Sequence, residues 1–249
     1  MSDTEKAKAG EPATSDLRPR DAATLIIVDA KDEQSRVLMG KRRMDVVFMP
    51  GKFVFPGGRV DPQDKDVASY SELADHEVEK LLYDMKGHAT PNRARAIAMA
   101  GVREVFEETG IIIGKPHVGK ANKQSDQTEP DNWQAFFEAG FSPSLEKLHF
   151  FARAITPPGR PRRYDTRFFC ISADCIAYDT GQPDEELSEI DWYTLEAATQ
   201  LDLPPITRVI LEDLHDHIEA GALGPSRQAV PYYHQRHGNF FRELIKIKN

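Results

Sequence analysis

Cysteine is nearly absent from this 249-residue chain, with only Cys170 and Cys175 present. Two thiols without CxxC spacing form neither a redox motif nor a zinc knuckle, and they are too few for a disulfide framework. The reading is a chain kept in a reducing compartment. Also missing is any run near the roughly 20 apolar residues that a membrane span needs. The opening "MSDTEKAKAGEPATSDLRPRD" has no apolar core of the signal-peptide kind. A cytoplasmic chain with no membrane partner is therefore expected, its residues 1–20 a disordered tail. A cationic excess is lacking too: 32 Lys and Arg face 40 Asp and Glu, a formal charge of −8. Binders of nucleic acid neutralise phosphates with concentrated positive charge, so that class is set aside. A polyanionic substrate would need local cations or a metal. With 40% hydrophobic residues a packed core is expected, and there is no internal repeat or inter-domain linker.

What is present alternates in type. "AATLIIVDA" (22–30) and "SRVLMGKRR" (35–43) are β-branched, apolar runs across the polar turn "KDEQ", and read as a hairpin. Two Pro-Gly pairs bracket a short strand "KFVF", where backbone must turn or approach something closely. Residues 69–87 carry Leu73, Val78, Leu81, Leu82 and Met85 near helical spacing and end at Gly87, predicting an amphipathic helix. After residue 110 come a strand in "GIIIG", a polar loop in "GKANKQSDQTE", a short helix over 130–140, and strands over 148–156 and 165–173. "EIDWYTLEAATQ" reads as a strand running into a helix, and "PPITRVILEDLHDHIEAG" as a helix. The five histidines His149, His215, His217, His234 and His237 have no metal spacing and are assigned to surface or packing.

The segment "TPNRARAIAMAGVREVFEETG" has marked boundaries. Thr90 can cap, Pro91 suits the first helical position, and Gly110 suits the left-handed residue past the end. Ile97, Ala98, Gly101, Val102, Val105 and Thr109 share one face, with Glu104, Glu107 and Glu108 on the band beside it. Like charges three and four residues apart repel by about 0.2–0.5 kcal/mol per pair. The macrodipole makes a helix C-terminus a poor place for acids. A solvated acidic face is the bland explanation; a hard divalent cation, which takes carboxylate oxygens and substrate phosphates, would reverse the sign of the arrangement.

Here the residues resemble a family. Arg103, Glu104, Val105, Glu107, Glu108, Gly110 and Ile111 fit the second half of the Nudix box, Arg-Glu-hydrophobic-x-Glu-Glu-x-Gly-hydrophobic. The first half departs from it. Counted from Gly58, the early glutamate position is Asp64, and 38 residues separate it from Arg103 where the usual box has seven. An insertion of about 31 residues is implied, set at about 65–95. Counting back from Arg103 instead would put Arg95 at the acid's place, which cannot bind a cation.

The resemblance implies an α/β/α sandwich around a mixed β-sheet, with a helical insertion in the box and a C-terminal helical extension. The Nudix domain would span 21–225 and a C-terminal tail 226–249. It further implies hydrolysis of a small-molecule nucleotide diphosphate with Mg2+ or Mn2+. The metal would be held by Glu104, Glu107, Glu108 and the Gly57 carbonyl, and Arg103 would orient a glutamate. Glu104, Arg103 and Glu107 are the expected catalytic residues; Glu185, Glu186 and Glu189 are loop candidates for the base.

For the substrate, "GKFVFPGGRVDPQD", the long insertion and "RRYDTRFF" (162–169) resemble the coenzyme A diphosphatase branch, its peroxisomal type and bacterial relatives. The Leu-Arg-x-His lead-in of that signature is missing, with Met49 where its His would stand. Arg160, Arg162, Arg163 and Arg167 form the densest cationic stretch, and guanidinium groups suit phosphate. Arg162, Arg163, Arg167 and Arg42 are accordingly expected to bind substrate, coenzyme A or acyl-CoA first. ADP-ribose, a dinucleotide, or a non-catalytic nucleotide-sensing module are the alternatives, and a homodimer is left open.

Overall fold

The apolar runs near the N-terminus build the centre of a sheet. In the computed structural model, which describes residues 17–31, 34–46, 48–117, 131–181, 183–184, 186–221 and 224–246, β1 (Arg20–Asp29) pairs antiparallel with β2 (Arg36–Arg42) through Val28 and Val37. Side chains alternate across a strand. Leu25 and Ile27 accordingly enter one hydrophobic core, and Ile26 and Val28 a second on the opposite face. The expected N-terminal tail lies outside the described residues up to residue 16, and its end at Arg20 already opens β1.

The remaining elements are β3 (Phe53–Val54), β4 (Gly57–Arg59), α1 (Asp75–Leu82), α2 (Pro91–Thr109), β5 (Ile111–Pro116), α3 (Asp131–Glu138), β6 (Phe141–Pro143), β7 (His149–Ile155), β8 (Tyr164–Ser172), β9 (Ile176–Asp179), β10 (Leu187–Thr194), α4 (Leu195–Gln200), α5 (Pro205–Glu219), β11 (Val230–Arg236) and β12 (Asn239–Ile245). Among the described residues the main sheet runs β10-β2-β1-β8-β7-β11-β12, with β3 on β2 and β4 on β1. Parallel pairs β1/β8 and β11/β7 make it mixed. A smaller sheet, β6-β5-β9, flanks it. Helices α1, α2 and α3 cover one face through Leu81, Ile97, Val102, Val105, Trp133 and Phe136. Ala198 of α4 and Ile210, Leu211 and Leu214 of α5 cover the other. This is the expected α/β/α sandwich. No helix among the described residues is long and apolar enough to cross a membrane.

Three expectations need correction or bounding. The helix predicted over 69–87 spans only residues 75–82. Tyr70 N–H is taken by Pro143 O and Ser71 bridges to Ser144, so the chain before α1 is recruited to a strand. At the other end Arg153 donates to the carbonyls of Tyr83 and Asp84, and Asp84 turns left-handed with φ 47°. Tertiary hydrogen bonds override the apolar spacing. Residues 226–249, set apart as a tail, supply β11 and β12 to the main sheet, so the helical extension α5 is followed by a hairpin. The polar loop over 119–129 lies outside the described residues.

The insertion is tied down at three points. Arg95 grips its entry through Glu72, Val67 O and Ser69. At its middle Glu77, fully buried, accepts from Lys80 at 2.8 Å, from His149 Nδ1, and from the N–H groups of Phe150 and Ser226. At its exit Arg153 joins Asp165 and lies over the Tyr232 ring, while Arg93 joins Asp21 to Lys86 O. Burial alone would raise the Glu77 carboxyl, but the His149 hydrogen bond and the Lys80 charge outweigh it and hold it below its ordinary 4.5.

A folded value below the unfolded one gives stability that is present above pH 4.5 and lost as pH falls through the lower folded value. Glu77→Gln should therefore flatten the acid limb of stability against pH, read from urea midpoints. Glu77→Ala, which leaves Lys80 buried without its counter-ion, should cost about 3–5 kcal/mol at pH 7.

Candidate active site

Helix α2 is fixed at both ends as its sequence requires. Thr90 Oγ1 accepts from Arg93 N–H, Pro91 opens the helix, and Gly110 closes it at φ 76°. The three glutamates thus stand at its negative end, with Glu108 against Gly57 and Glu104 against Gly58 of strand β4. The glycines are needed for closeness. A Cβ on Gly58 would lie 2.4 Å from the Glu104 carboxylate, and one on Gly57 would lie 2.4 Å from Ala23 O.

Arg103 sits in the middle. Its Nε donates to Asp64 at 2.9 Å, Nη2 donates to Arg59 O at 3.0 Å, and Nη1 meets Glu107 at 2.6 Å and Glu104 at 2.9 Å. Asp64, fully buried, also accepts from the Trp133 indole N–H at 3.0 Å and from Asp61 N–H at 2.8 Å. The early acid of the box is therefore placed beside Arg103 across the whole insertion. Arg95, the rejected alternative, holds the insertion instead. Trp133 had been given no role by the sequence; the signal was available, because a buried indole N–H needs an acceptor.

Glu108 is 1% exposed. One of its oxygens accepts the Gly57 N–H at 2.7 Å, and the other, Oε1, has no hydrogen-bond partner among the described residues. Burial, then the Glu104 charge, pushes its carboxyl well above the ordinary value. Burial also pushes Glu104 up to about 7, against the pull of Arg103. Glu107 is raised for the same first reason, with Arg103 opposing. Among the described residues no three acids, histidines or cysteines converge as a ready metal cluster, since Arg103 Nη1 stands between Glu104 and Glu107. The donor set nonetheless fits a hard cation: oxygen ligands only, a buried oxygen lacking a partner among the described residues, and carboxylates that burial holds above their ordinary pKa.

Beside these acids opens a cleft of about 430 Å³ lined by Arg42, Arg43, Asp45, Val46, Phe48, Arg162 and Glu186. Arg42 donates Nε to Phe48 O at 3.0 Å and pairs with Glu186 at 2.5 Å. The loop that carries Glu186 is tied to the end of α2, with Asp184 N–H donating to Glu107 O at 2.6 Å, which sets the cleft next to the box. Of the expected substrate arginines, Arg42 and Arg162 line this cleft. Arg163 instead holds backbone, donating to Thr156 O and Leu17 O. Arg167 is corrected outright: it is fully buried on β8, bonded to Asp21 and to the Asp165 carbonyl. Its strand position turns it into the core face, where only an internal ion pair can satisfy it. Of the loop acids, Glu186 faces the cleft, Glu189 pairs with Lys41, and Glu185 lies outside the described residues.

A carboxyl whose folded value exceeds its unfolded one disfavours the fold once it ionises. Between pH 4.5 and about 7 the metal-free protein should lose stability on the order of 3 kcal/mol through Glu104. Glu104→Gln should remove that slope in denaturant midpoints measured across this range with chelator present.

No family model matches the chain. Nudix hydrolase 7 of Caenorhabditis elegans is 29% identical over 181 residues, covering 70% of this chain and 50% of that protein. Human acyl-coenzyme A diphosphatase NUDT19 is 25% identical over 205 residues, covering 61% of this chain and 55% of that protein. The chain thus spans about half the length of the curated relatives it matches. Among solved structures, a NUDIX hydrolase from Alicyclobacillus acidocaldarius superposes with a TM-score of 0.58 at 24% identity, covering 79% of this chain and 91% of that one. That structure shows a shared fold, and the curated proteins show partial likeness in sequence. The chain is thus similar in sequence to Nudix hydrolases and similar in fold to a solved one.

Proposed function

We propose that the chain hydrolyses the diphosphate of a nucleotide linked to another moiety, with coenzyme A or acyl-CoA as first candidates. The carrying observation is the union of two features: a buried carboxylate cluster with an unpartnered Glu108 oxygen, and an arginine-lined cleft beside it. The printed name of the human relative, an acyl-coenzyme A diphosphatase, supports the choice of substrate.

Glu104, Glu107, Glu108 and the Gly57 carbonyl would hold Mg2+ or Mn2+. Such an ion neutralises phosphate charge and makes water a better nucleophile. The chain's own residues do the rest. Arg103 fixes Glu104 and Glu107 in orientation through its planar fork. The Gly57–Gly58 turn lets the acids approach the scissile diphosphate without a side chain between. Glu107, the most exposed of the three glutamates, is the one open to the attacking water. That water forms one new P–O bond while one bridging P–O bond breaks, giving two phosphate monoesters. Arg42 and Arg162 would receive the remaining phosphate of the nucleotide, which in coenzyme A is the 3′-phosphate.

One observation favours a second reading, a module that binds a nucleotide without cleaving it: Arg103 Nη1 occupies the space between Glu104 and Glu107 that a cation would share.

Turnover of a panel of diphosphates with Mg2+ separates the two. Release of 4′-phosphopantetheine and adenosine 3′,5′-bisphosphate is expected. Cleavage of ADP-ribose or dinucleotides alone would move the substrate, and tight binding without any turnover would establish the sensor. Glu107→Gln should lower turnover about 10²–10⁴-fold while stability stays equal or rises, because its ionised carboxyl is disfavoured in the fold. Arg162→Ala should raise KM more for a substrate bearing a 3′-phosphate than for one lacking it; equal effects would remove Arg162 from the site.

A further inference from the structure

The end of β2 presents three consecutive cations, each already facing a carboxylate. Lys41 meets Glu189 at 2.9 Å, Arg42 meets Glu186 at 2.5 Å, and Arg43 meets Asp45 at 3.0 Å. Across the cleft, Arg162 makes no ion pair among the described residues. A phosphate entering here finds Arg162 open and Arg42 masked.

The Arg42–Glu186 pair is asymmetric. The Arg42 side chain is 13% exposed and its Nε is anchored on Phe48 O, so the guanidinium stays where it is. The Glu186 side chain is 43% exposed and hangs from the loop before β10, held there by its backbone N–H on Asp184. The anchored partner offers the fork, and the more exposed one fills it. Exposed ion pairs of this kind are weak, because solvent screens them and side-chain freedom is lost in forming them. A phosphate monoester carries more charge than a carboxylate, with three oxygens that match the guanidinium fork.

We propose that Glu186 is a resident competitor for Arg42, which a phosphate monoester of the substrate must displace. The exchange makes the cleft selective: a ligand bearing a single carboxylate replaces like with like and gains nothing, whereas a dianion gains the difference. It also turns the Glu186 charge loose beside Glu104 and Glu108, both of which already feel it. The inference rests on the reading that a nucleotide phosphate occupies this cleft.

Calorimetric titration of adenosine 3′,5′-bisphosphate into the full chain, with chelator present and no metal, tests it. Glu186→Gln should tighten binding about two- to fivefold, the range an exposed pair can supply. Arg42→Ala should weaken it about tenfold or more, and Arg42→Lys, which keeps charge but loses the fork, should fall between. In the Arg42→Ala background, Glu186→Gln should gain nothing. An equal gain in both backgrounds would mean that Glu186 acts only through its general field, and no gain in either would mean no competition; both overturn the exchange. The titrations contain neither metal nor a scissile bond, so the hydrolytic reading fails or survives separately, on turnover.

Discussion

A single guanidinium holds three acids in register: Arg103 touches Asp64, Glu104 and Glu107 directly, while Glu108 is held separately by the Gly57 N–H. One buried positive charge cannot satisfy that many carboxylates. Glu104, Glu107 and Glu108 are all held above the ordinary carboxylate range, with burial the leading cause in each. The helix macrodipole adds to it, because these residues end α2 rather than begin it. The site is closed on the inside by an arginine and lies beside the cleft on the outside.

The insertion bears on the same constraint. Asp64 and Arg103 must meet although 38 residues intervene. Chain entropy alone makes a long excursion tolerable, at about 0.6 kcal/mol for each doubling of length, but tolerance does not give precision. Precision comes from the three anchors. Two of these depend on the segment after α5: Ser226 N–H and O, before the hairpin, serve Glu77 and Lys80, and the Tyr232 ring of β11 lies against Arg153. The segment that looked like a tail is thus part of the foundation under the box.

What could be read from the sequence was local. Thr90, Pro91 and Gly110 announced α2 because capping is a matter of a few adjacent residues, and the β-branched runs announced the sheet by their spacing. The resemblance to a Nudix box put Arg103 and the glutamates on one helix edge; in the fold Arg103 meets Asp64, Glu108 meets Gly57, and Glu104 lies against Gly58. What could not be read was decided by distant partners. The apolar spacing over 69–87 resembled one helix, yet Ser144 and Arg153 recruit its ends. Arg162, Arg163 and Arg167 looked alike in a row. β8 starts at Tyr164, however, so Arg167 shares a core-facing side with Asp165 and Phe169 while Arg162 stays at the cleft.

Asp64 shows how a shortened side chain is accommodated. With one methylene fewer than glutamate, its carboxylate reaches Arg103 only if the backbone comes closer. The turn over residues 61–64 provides this by closing on itself, with Asp64 N–H on Asp61 O at 3.1 Å and Asp61 N–H on the Asp64 carboxylate. Trp133 bears on the same carboxylate: its indole N–H donates to Asp64 at 3.0 Å, and its ring packs edge-on to Phe136 at 5.3 Å. A glutamate at this position would either push Arg103 toward Glu104 and Glu107 or displace Trp133 from α3. The aspartate, the tight turn and the tryptophan are one solution to the same geometric problem, and each is explicable only with the other two.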